Sequence, residues 1–391
     1  MKSKSLALAL APGTLFAGIA GGIVFPIFPI VGDRVGLSPA FIGVILASNR
    51  AMRVVSAPVV GVLADRIGAR RTLLLGLALQ IGVIALYVAG LVTHHEGAGF
   101  LAGRILHGPG SACVFVAAQA LALQSGGDGA TAGTVRAAIV LGVPIGFGVG
   151  GILADAVGDV ATFAIAGACV TAALFAASIT VPDLRAKVRS RPSLVTAVRE
   201  MRDRRLLAVG GLNFALSFAA GGMVLTTLAL LVKERHLVVF GRNVEGTSGL
   251  LMGLMSIVDA GFTPFAGRLG DRLNAHALVA AASTAIIAIG LLVIGLATAV
   301  LGTAVGIALV GIGAAGLGPS VLVLLGAIVP ADRRGTGAGM LQLCGDVGGM
   351  LGPLVGTTLF ATRTELPYVL TAALIACFVP VALWLHRAER A

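Results

Sequence analysis

Two short stretches decide the reading of this chain: Pro58-Val59-Val60-Gly61-Val62-Leu63-Ala64-Asp65-Arg66 and Pro264-Phe265-Ala266-Gly267-Arg268-Leu269-Gly270-Asp271-Arg272. Each closes a long apolar run on an Asp-Arg pair, and residue 58 maps onto residue 264 by a shift of 206. The same shift carries Gly146-Phe147-Gly148-Val149-Gly150 onto Gly352-Pro353-Leu354-Val355-Gly356. One offset that relates two separate segments is the mark of an internal duplication.

What is duplicated follows from composition. Hydrophobic residues make up 57% of the chain and charged ones 12%, and the mean hydropathy is +1.01. That is too little polar material to clothe a water-soluble core of this size. The apolar runs are continuous rather than alternating, and a helix needs about 20 such residues to cross a hydrocarbon core. In lipid no water serves the backbone amides, so each run must close its own hydrogen bonds as a helix. Spans are predicted at 6–32, 39–63, 72–92, 99–123, 134–154, 160–181, 206–232, 247–267, 276–298, 300–328, 336–360 and 366–386. The expected fold class is therefore an all-α integral membrane protein with twelve transmembrane helices in two six-helix pseudo-repeat bundles. The bundles are expected over 1–181 and 206–391, joined by a cytoplasmic linker over 182–205 that carries eight lysines or arginines. An even number of helices separates the copies, so the repeats run parallel through the membrane, as in many secondary transporters.

Net charge is +11. Its placement speaks against nucleic acid as a partner: most of the basic residues sit in alternate polar gaps, around Lys2, Arg66 to Arg71, Arg185 to Arg205, Arg268 and Arg272, Arg333 and Arg334, and Arg387. That alternation is the positive-inside pattern, and it sets both termini in the cytoplasm. The opening MKSKSLALALAPGTLFAG imitates a secretory signal but runs on to Ile30 without a cleavage site, so it reads as a retained first helix. Cys113, Cys169, Cys344 and Cys377 all fall in apolar spans without metal-ligand spacing, so they read as small buried residues, with no metal and no cofactor expected. The alanine- and glycine-rich, lysine-poor composition fits a bacterial cytoplasmic membrane.

The loop Gly61-Val62-Leu63-Ala64-Asp65-Arg66-Ile67-Gly68-Ala69-Arg70-Arg71 resembles the signature loop of the major facilitator superfamily, with a weaker second copy over Gly267 to Arg272. The resemblance implies a cytoplasmic latch made by Gly61, Asp65, Arg66, Gly68, Arg70 and Arg71, echoed by Gly267, Asp271 and Arg272. A carboxylate at a helix end can face the positive N-terminus of a neighbour, which gives that latch a physical basis. Gly22-Ile23-Val24-Phe25-Pro26-Ile27-Phe28-Pro29 is similar to the first-helix G-x-x-x-P-x-x-P of twelve-span drug:proton antiporters. Gly146-Phe147-Gly148-Val149-Gly150-Gly151 resembles their fifth-helix glycine motif, with Phe147 where that motif has proline, and Arg104-Ile105-Leu106-His107-Gly108 resembles R-x-x-Q-G with histidine for glutamine. Gly146, Gly148, Gly150, Gly151, Gly352 and Pro353 form the expected helix-packing motif. The acidic residue common in the first helix of that branch is missing between Phe16 and Phe25, so any proton carrier must lie elsewhere.

Ionisable residues deep in a span are costly and therefore mark function. Arg53 lies twelve residues before Asp65, and Asp259 twelve before Asp271. Each is thus about 18 Å deep at 1.5 Å per residue, and the shift of 206 maps one onto the other with opposite charge. Asp346 sits eleven residues beyond Gly335, at a similar level. Arg50 and Arg53 share one helix face, and Gln342 and Asp346 share another. In the family fold the second helix neighbours the eleventh, so the resemblance implies an Arg53–Asp346 pair. Arg104 and His107 lie nearer the outside, where a histidine titrates in the physiological range. Asp33, Arg34 and Asp155, at span ends, read as interfacial.

The expected function is secondary active transport by alternating access, with proton-coupled export of a small organic compound, either drug-like or a metabolite. Asp259 or Asp346 would take protons, while Arg50 and Arg53 would bind a negative group or tune those carboxylates. Arg104 and His107 complete the coupling set. The expected partners are the substrate, protons and the bilayer, with the monomer as working unit. Import of an organic anion by a proton symporter or facilitator is the alternative, and a membrane sensor or scaffold without flux is the alternative of another class. The sequence has no Walker loop, G-x-S-x-G or H-E-x-x-H, so enzymatic chemistry has no support.

Overall fold

The structure, a computed structural model, describes residues 3–124, 129–181, 203–329 and 334–390. Among these residues the regular structure is helical throughout. The helices are α1 (Ser3–Arg34), α2 (Pro39–Ile67), α3 (Ala69–Val92), α4 (Glu96–Gln124), α5 (Gly129–Val157) and α6 (Asp159–Thr180), then α7 (Arg204–Glu234), α8 (Val244–Leu273), α9 (His276–Leu296), α10 (Val300–Ile328), α11 (Arg334–Phe360) and α12, which is built from Leu366–Ala376 and Phe378–Arg390. Eleven of them are long and apolar enough to cross a membrane, and α5 adds the shorter apolar stretch Gly142–Val157. The predicted linker falls almost wholly outside the described residues.

Local chemistry sets the helix ends. Ser38 caps α2 by accepting from the Phe41 amide at 3.3 Å, with Pro39 opening the first turn, where its missing N–H costs nothing. Gly68, at φ +90°, turns the chain from α2 into α3 within one residue. Asp203 caps α7 through the Arg205 amide at 2.8 Å. Inside α7 the stretch Ser217–Val224 winds as a π-helix, a wider coil that tends to occur at functional sites. The α12 break at Cys377 has a cause in Pro380, whose ring cannot coexist with a regular bond to the carbonyl of Ala376.

The chain forms two compact units. The first comprises Met1–Arg189 with Val238–Leu250, and the second Ser190–Leu237 with Leu251–Ala391. In the first unit α1 packs on α5 and α6, and α4 on α2 and α3. Its core centres on an aromatic stack, Phe28 on Phe100 at 4.4 Å and Phe100 on Tyr87 at 4.7 Å, with Phe163 edge-on to Tyr87 at 5.3 Å. In the second unit α9 packs on α10 and α12, and α7 on α11. Large apolar side chains such as Phe175, Ile179 and Leu301 stand about 70% exposed, a surface that only lipid would cover. Cys113 is buried, but Cys377 is exposed at the α12 break, so it is not the buried residue that its apolar setting implies.

Candidate functional site

Most of the ionisable residues expected in the first half gather around α4. Gly108 has no side chain, and a Cβ there would stand 2.8 Å from the Arg53 amide nitrogen and from the Asn49 carbonyl oxygen. That close approach seats α2 against α4 at the level of His107. The His107 ring rests against Gly21 of α1, where a Cβ would come within 3.5 Å of it. Arg53 lies over the Phe115 ring at 5.4 Å, and Arg104 over the Phe25 ring at 5.1 Å, so aromatic faces take part of each guanidinium's desolvation.

Arg104 is 1% exposed, the deepest cation described. It donates to the Leu46 carbonyl at 3.2 Å, while its Nε has no hydrogen-bond partner. The Tyr87 hydroxyl is close to it electrostatically but is likewise without a directed hydrogen bond. No described carboxylate lies within ion-pair reach of Arg104.

In the second unit Asp346 is 4% exposed on α11. Glycines line the α11 face that meets α7. A Cβ on Gly345 would meet Asn213 Nδ2 at 2.7 Å and Ser217 Oγ at 3.1 Å, and one on Gly352 would meet Gly222 Cα at 2.8 Å. The π-helical part of α7 therefore lies along the helix that carries Asp346, with Asn213 holding the Leu341 carbonyl at 2.7 Å. Asn213 and Ser217 are polar residues of an apolar span that pack against Gly345, the residue before Asp346. Their meeting with α11 was not legible before folding, although two hydrogen-bonding side chains four apart in α7 were a signal. Asp259, half-buried on α8, is met by the Thr263 hydroxyl at 3.3 Å.

The residues of the expected latch take definite places. Asp65 belongs to the end of α2, and its side chain lies outside the described residues. Arg66 and Arg71 are exposed, whereas Arg70 donates to the Ser178 carbonyl in the last turn of α6. A cation at the carbonyl end of a helix suits its dipole, so Arg70 ties the loop to its own bundle. In the repeat, Asp271 meets His276 at 3.0 Å, and His276 is the first residue of α9. Gly270 makes room for that ring, since a Cβ there would lie 2.5 Å from it. Arg272 is exposed.

The glycine motif divides. Gly146 meets α1 at Gly22 and Ile19, Gly150 meets Ile23 at 2.9 Å, and Gly151 meets Gly249 of α8. Gly148 and Gly267 have nothing described within 4 Å, so close packing is not what holds a glycine at either position.

One cluster comes from residues that read as interfacial. Arg34, at the end of α1, bridges Glu245 at 2.8 Å and Asp159 at 3.2 Å. Asp155 accepts from Arg242 and from the Asn243 amide, both at 3.4 Å. These links hold Val238–Leu250 within the first unit.

A family model described as Major Facilitator Superfamily matches residues 10–243 and 243–391. The chain belongs to this superfamily. A curated relative, the multi-drug resistance efflux pump PmrA homolog of Lactococcus lactis subsp. lactis (strain IL1403), is 24% identical, over 89% of this chain and 86% of its own length. Among solved structures, a bacterial homolog of the human lysosomal transporter Spinster superposes with a TM-score of 0.78 at 14% identity, covering 97% of this chain and 96% of its own. The nucleoside transporter NupG does so at 0.76 and 14%, covering 97% and 98%. The human organic anion transporter MFSD10 does so at 0.71 and 17%, covering 98% and 100%. The membership makes this superfamily protein a multi-pass membrane transporter. The likeness to solved structures carries the fold, all-α and membrane-spanning.

Proposed function

We propose that the protein is a secondary transporter that works by alternating access and exports a small organic compound in exchange for protons, in a bacterial cytoplasmic membrane. The observation that carries the reading is the pair of intramembrane carboxylates in the second half. Asp346 is almost fully buried and Asp259 half-buried, at similar depth in the sequence. A carboxylate kept in a low-dielectric interior despite its cost earns its place by exchanging protons or holding a cation. The efflux pump among the relatives supports the outward direction. The π-helical stretch of α7 beside Asp346 supports a moving element there, because a wide coil can rewind to an α-helix and shift the side chains along it.

Purified protein in liposomes tests this with and without a pH gradient. Asp346→Asn or Asp259→Asn should abolish accumulation driven by the gradient, while substrate exchange at equal pH survives. Full gradient-driven accumulation in both single variants would remove the proton from these residues and pass it to His107. Flux indifferent to the gradient would replace exchange with facilitated passage, and a reversed dependence would make the protein an importer.

A further inference from the structure

One groove in the second unit joins a cation to an apolar floor. It runs between the start of α7 and the second segment of α12, with a volume of about 570 Å³. On α7 its wall is Arg204, Leu207, Ala208 and Gly211, spaced i, i+3, i+4 and i+7 as a single helix face requires. On α12 the wall is Phe378, Pro380, Val381 and Trp384. Two local causes open the space. Gly211 presents no side chain, and a Cβ there would stand 3.0 Å from the Phe378 ring. Next to that ring α12 is interrupted at Cys377. All of these residues belong to one compact unit.

The groove changes character along its length. Arg204 is the sole charged residue among the described ones that line it, and it stands exposed in the first turn of α7. No described carboxylate pairs with it, and the neighbouring Asp203 carboxylate is engaged as the helix cap on the Arg205 amide at 2.8 Å. From Arg204 the face continues on apolar residues to Gly211, about 10 Å further at 1.5 Å per residue. Trp384, the one tryptophan of the chain, lines the same groove and is 42% exposed. An indole near the end of a span belongs at the boundary between hydrocarbon and headgroups. Arg387 follows it by three residues on α12 and is exposed, so a second cation continues that face. Leu207 and Leu383, also exposed, turn the groove toward the bilayer. The basic segment over 182–205, with eight lysines or arginines, ends at this point.

We propose that the groove is a binding site for an anionic phospholipid of the leaflet that adjoins the 182–205 segment. The phosphate lies on Arg204, whose guanidinium offers paired donors to two of its oxygens. One acyl chain follows the apolar face toward Phe378, and the Trp384 indole sits at the level of the glycerol esters. A free phosphate would leave the floor uncovered, and an apolar solute would leave Arg204 unanswered. An amphiphile meets both. The sign of its headgroup follows from the cations gathered at this end, which draw anionic lipid to the surface. A zwitterionic lipid brings its own ammonium to the same cations and loses part of that attraction. The site holds whatever the substrate and the direction of flux.

Trp384 is also the probe, since no other tryptophan contributes emission. The purified full chain is placed in phosphatidylcholine nanodiscs in which a small fixed fraction of the lipid carries brominated acyl chains, which quench an indole on contact. Brominated phosphatidylglycerol should quench Trp384 at least twofold more than brominated phosphatidylcholine at the same fraction. Arg204→Gln should bring the two lipids close to equality, and Arg204→Lys should keep part of the difference. Arg272→Gln removes an exposed cation of the second unit that does not line the groove, and it should leave the difference intact. If Arg204→Gln does not fold, Gly211→Leu, which fills the floor and keeps every charge, takes its place with the same expected loss. Equal quenching by the two lipids in the unaltered chain would overturn the proposal, as would a difference that survives in whichever of these variants folds. An equal loss in Arg272→Gln would also overturn it, because the preference would then be a diffuse effect of charge.

Discussion

Tyr87 uses its ring and wastes its hydroxyl. The ring stacks at 4.7 Å on Phe100 and meets Phe163 at 5.3 Å, while the oxygen is buried beside Arg104 with no directed partner. An orphaned buried hydroxyl costs about 1–3 kcal/mol, so deleting it is not a loss. Tyr87→Phe should leave the melting temperature unchanged or raise it, and a clear fall in a thermal unfolding scan would show that the hydroxyl serves Arg104 in the folded state. Arg104 itself stands out in the sequence, as an arginine within an apolar span must. Its surroundings do not: Leu46 and Phe25 lie 58 and 79 positions away, and no local pattern links them. The same holds for Arg34. A basic residue closing a span looks interfacial in any sequence, and its partners Asp159 and Glu245 are 125 and 211 residues distant.

At the scale of helices, length and hydropathy carry most of the information. The predicted span 39–63 lies inside α2, Pro39–Ile67, and 72–92 inside α3, Ala69–Val92, because apolar length is the property a bilayer demands. The π-helical turns of α7 were hidden for the converse reason: SFAAGGMV is equally apolar in either coil, and only packing against the glycines of α11 distinguishes them. Small residues set these contacts, and Gly151 offers the sharpest test. Its missing Cβ lets the backbone of α5 touch α8 at Glu245 and Gly249, the turns that Arg34 and Asp155 also hold. Exposed ion pairs contribute about 0–1 kcal/mol each, so they align these turns more than they stabilise them. Overpacking a close contact costs about 1–3 kcal/mol. Gly151→Val should therefore lower the melting temperature by more than Arg34→Ala does. The opposite order in the same scan would make the ion pairs, not the glycine contact, the main fastening of the first turns of α8.

Across the whole chain the duplication is the most informative feature, and it also sets what remains to be measured. The shift of 206 predicts parallel halves, and most basic residues fall in alternate gaps, Lys233, Arg235 and Arg242 between the seventh and eighth spans being the exception. Translocation leaves positively charged short loops behind, so the basic gaps belong on the cytoplasmic side. The segment over 182–205, with eight lysines or arginines, is the densest of them. Both termini and this segment are accordingly expected inside, and the ion-pair cluster of Arg34, Asp159 and Glu245, at the opposite helix ends of the first unit from Arg70, outside. Thiol labelling in intact cells decides it, with the native thiols removed first so that each introduced cysteine reports alone. In a chain with Cys113, Cys169, Cys344 and Cys377 replaced by alanine or serine, Ser193→Cys should resist a reagent confined to the outside, and His95→Cys, in the turn between α3 and α4, should react with it. The reverse pattern would invert the topology. Because the duplicated helices share one direction, it would turn both halves over together, placing the latch sequence around Asp65 and its copy at Asp271 on the outer face.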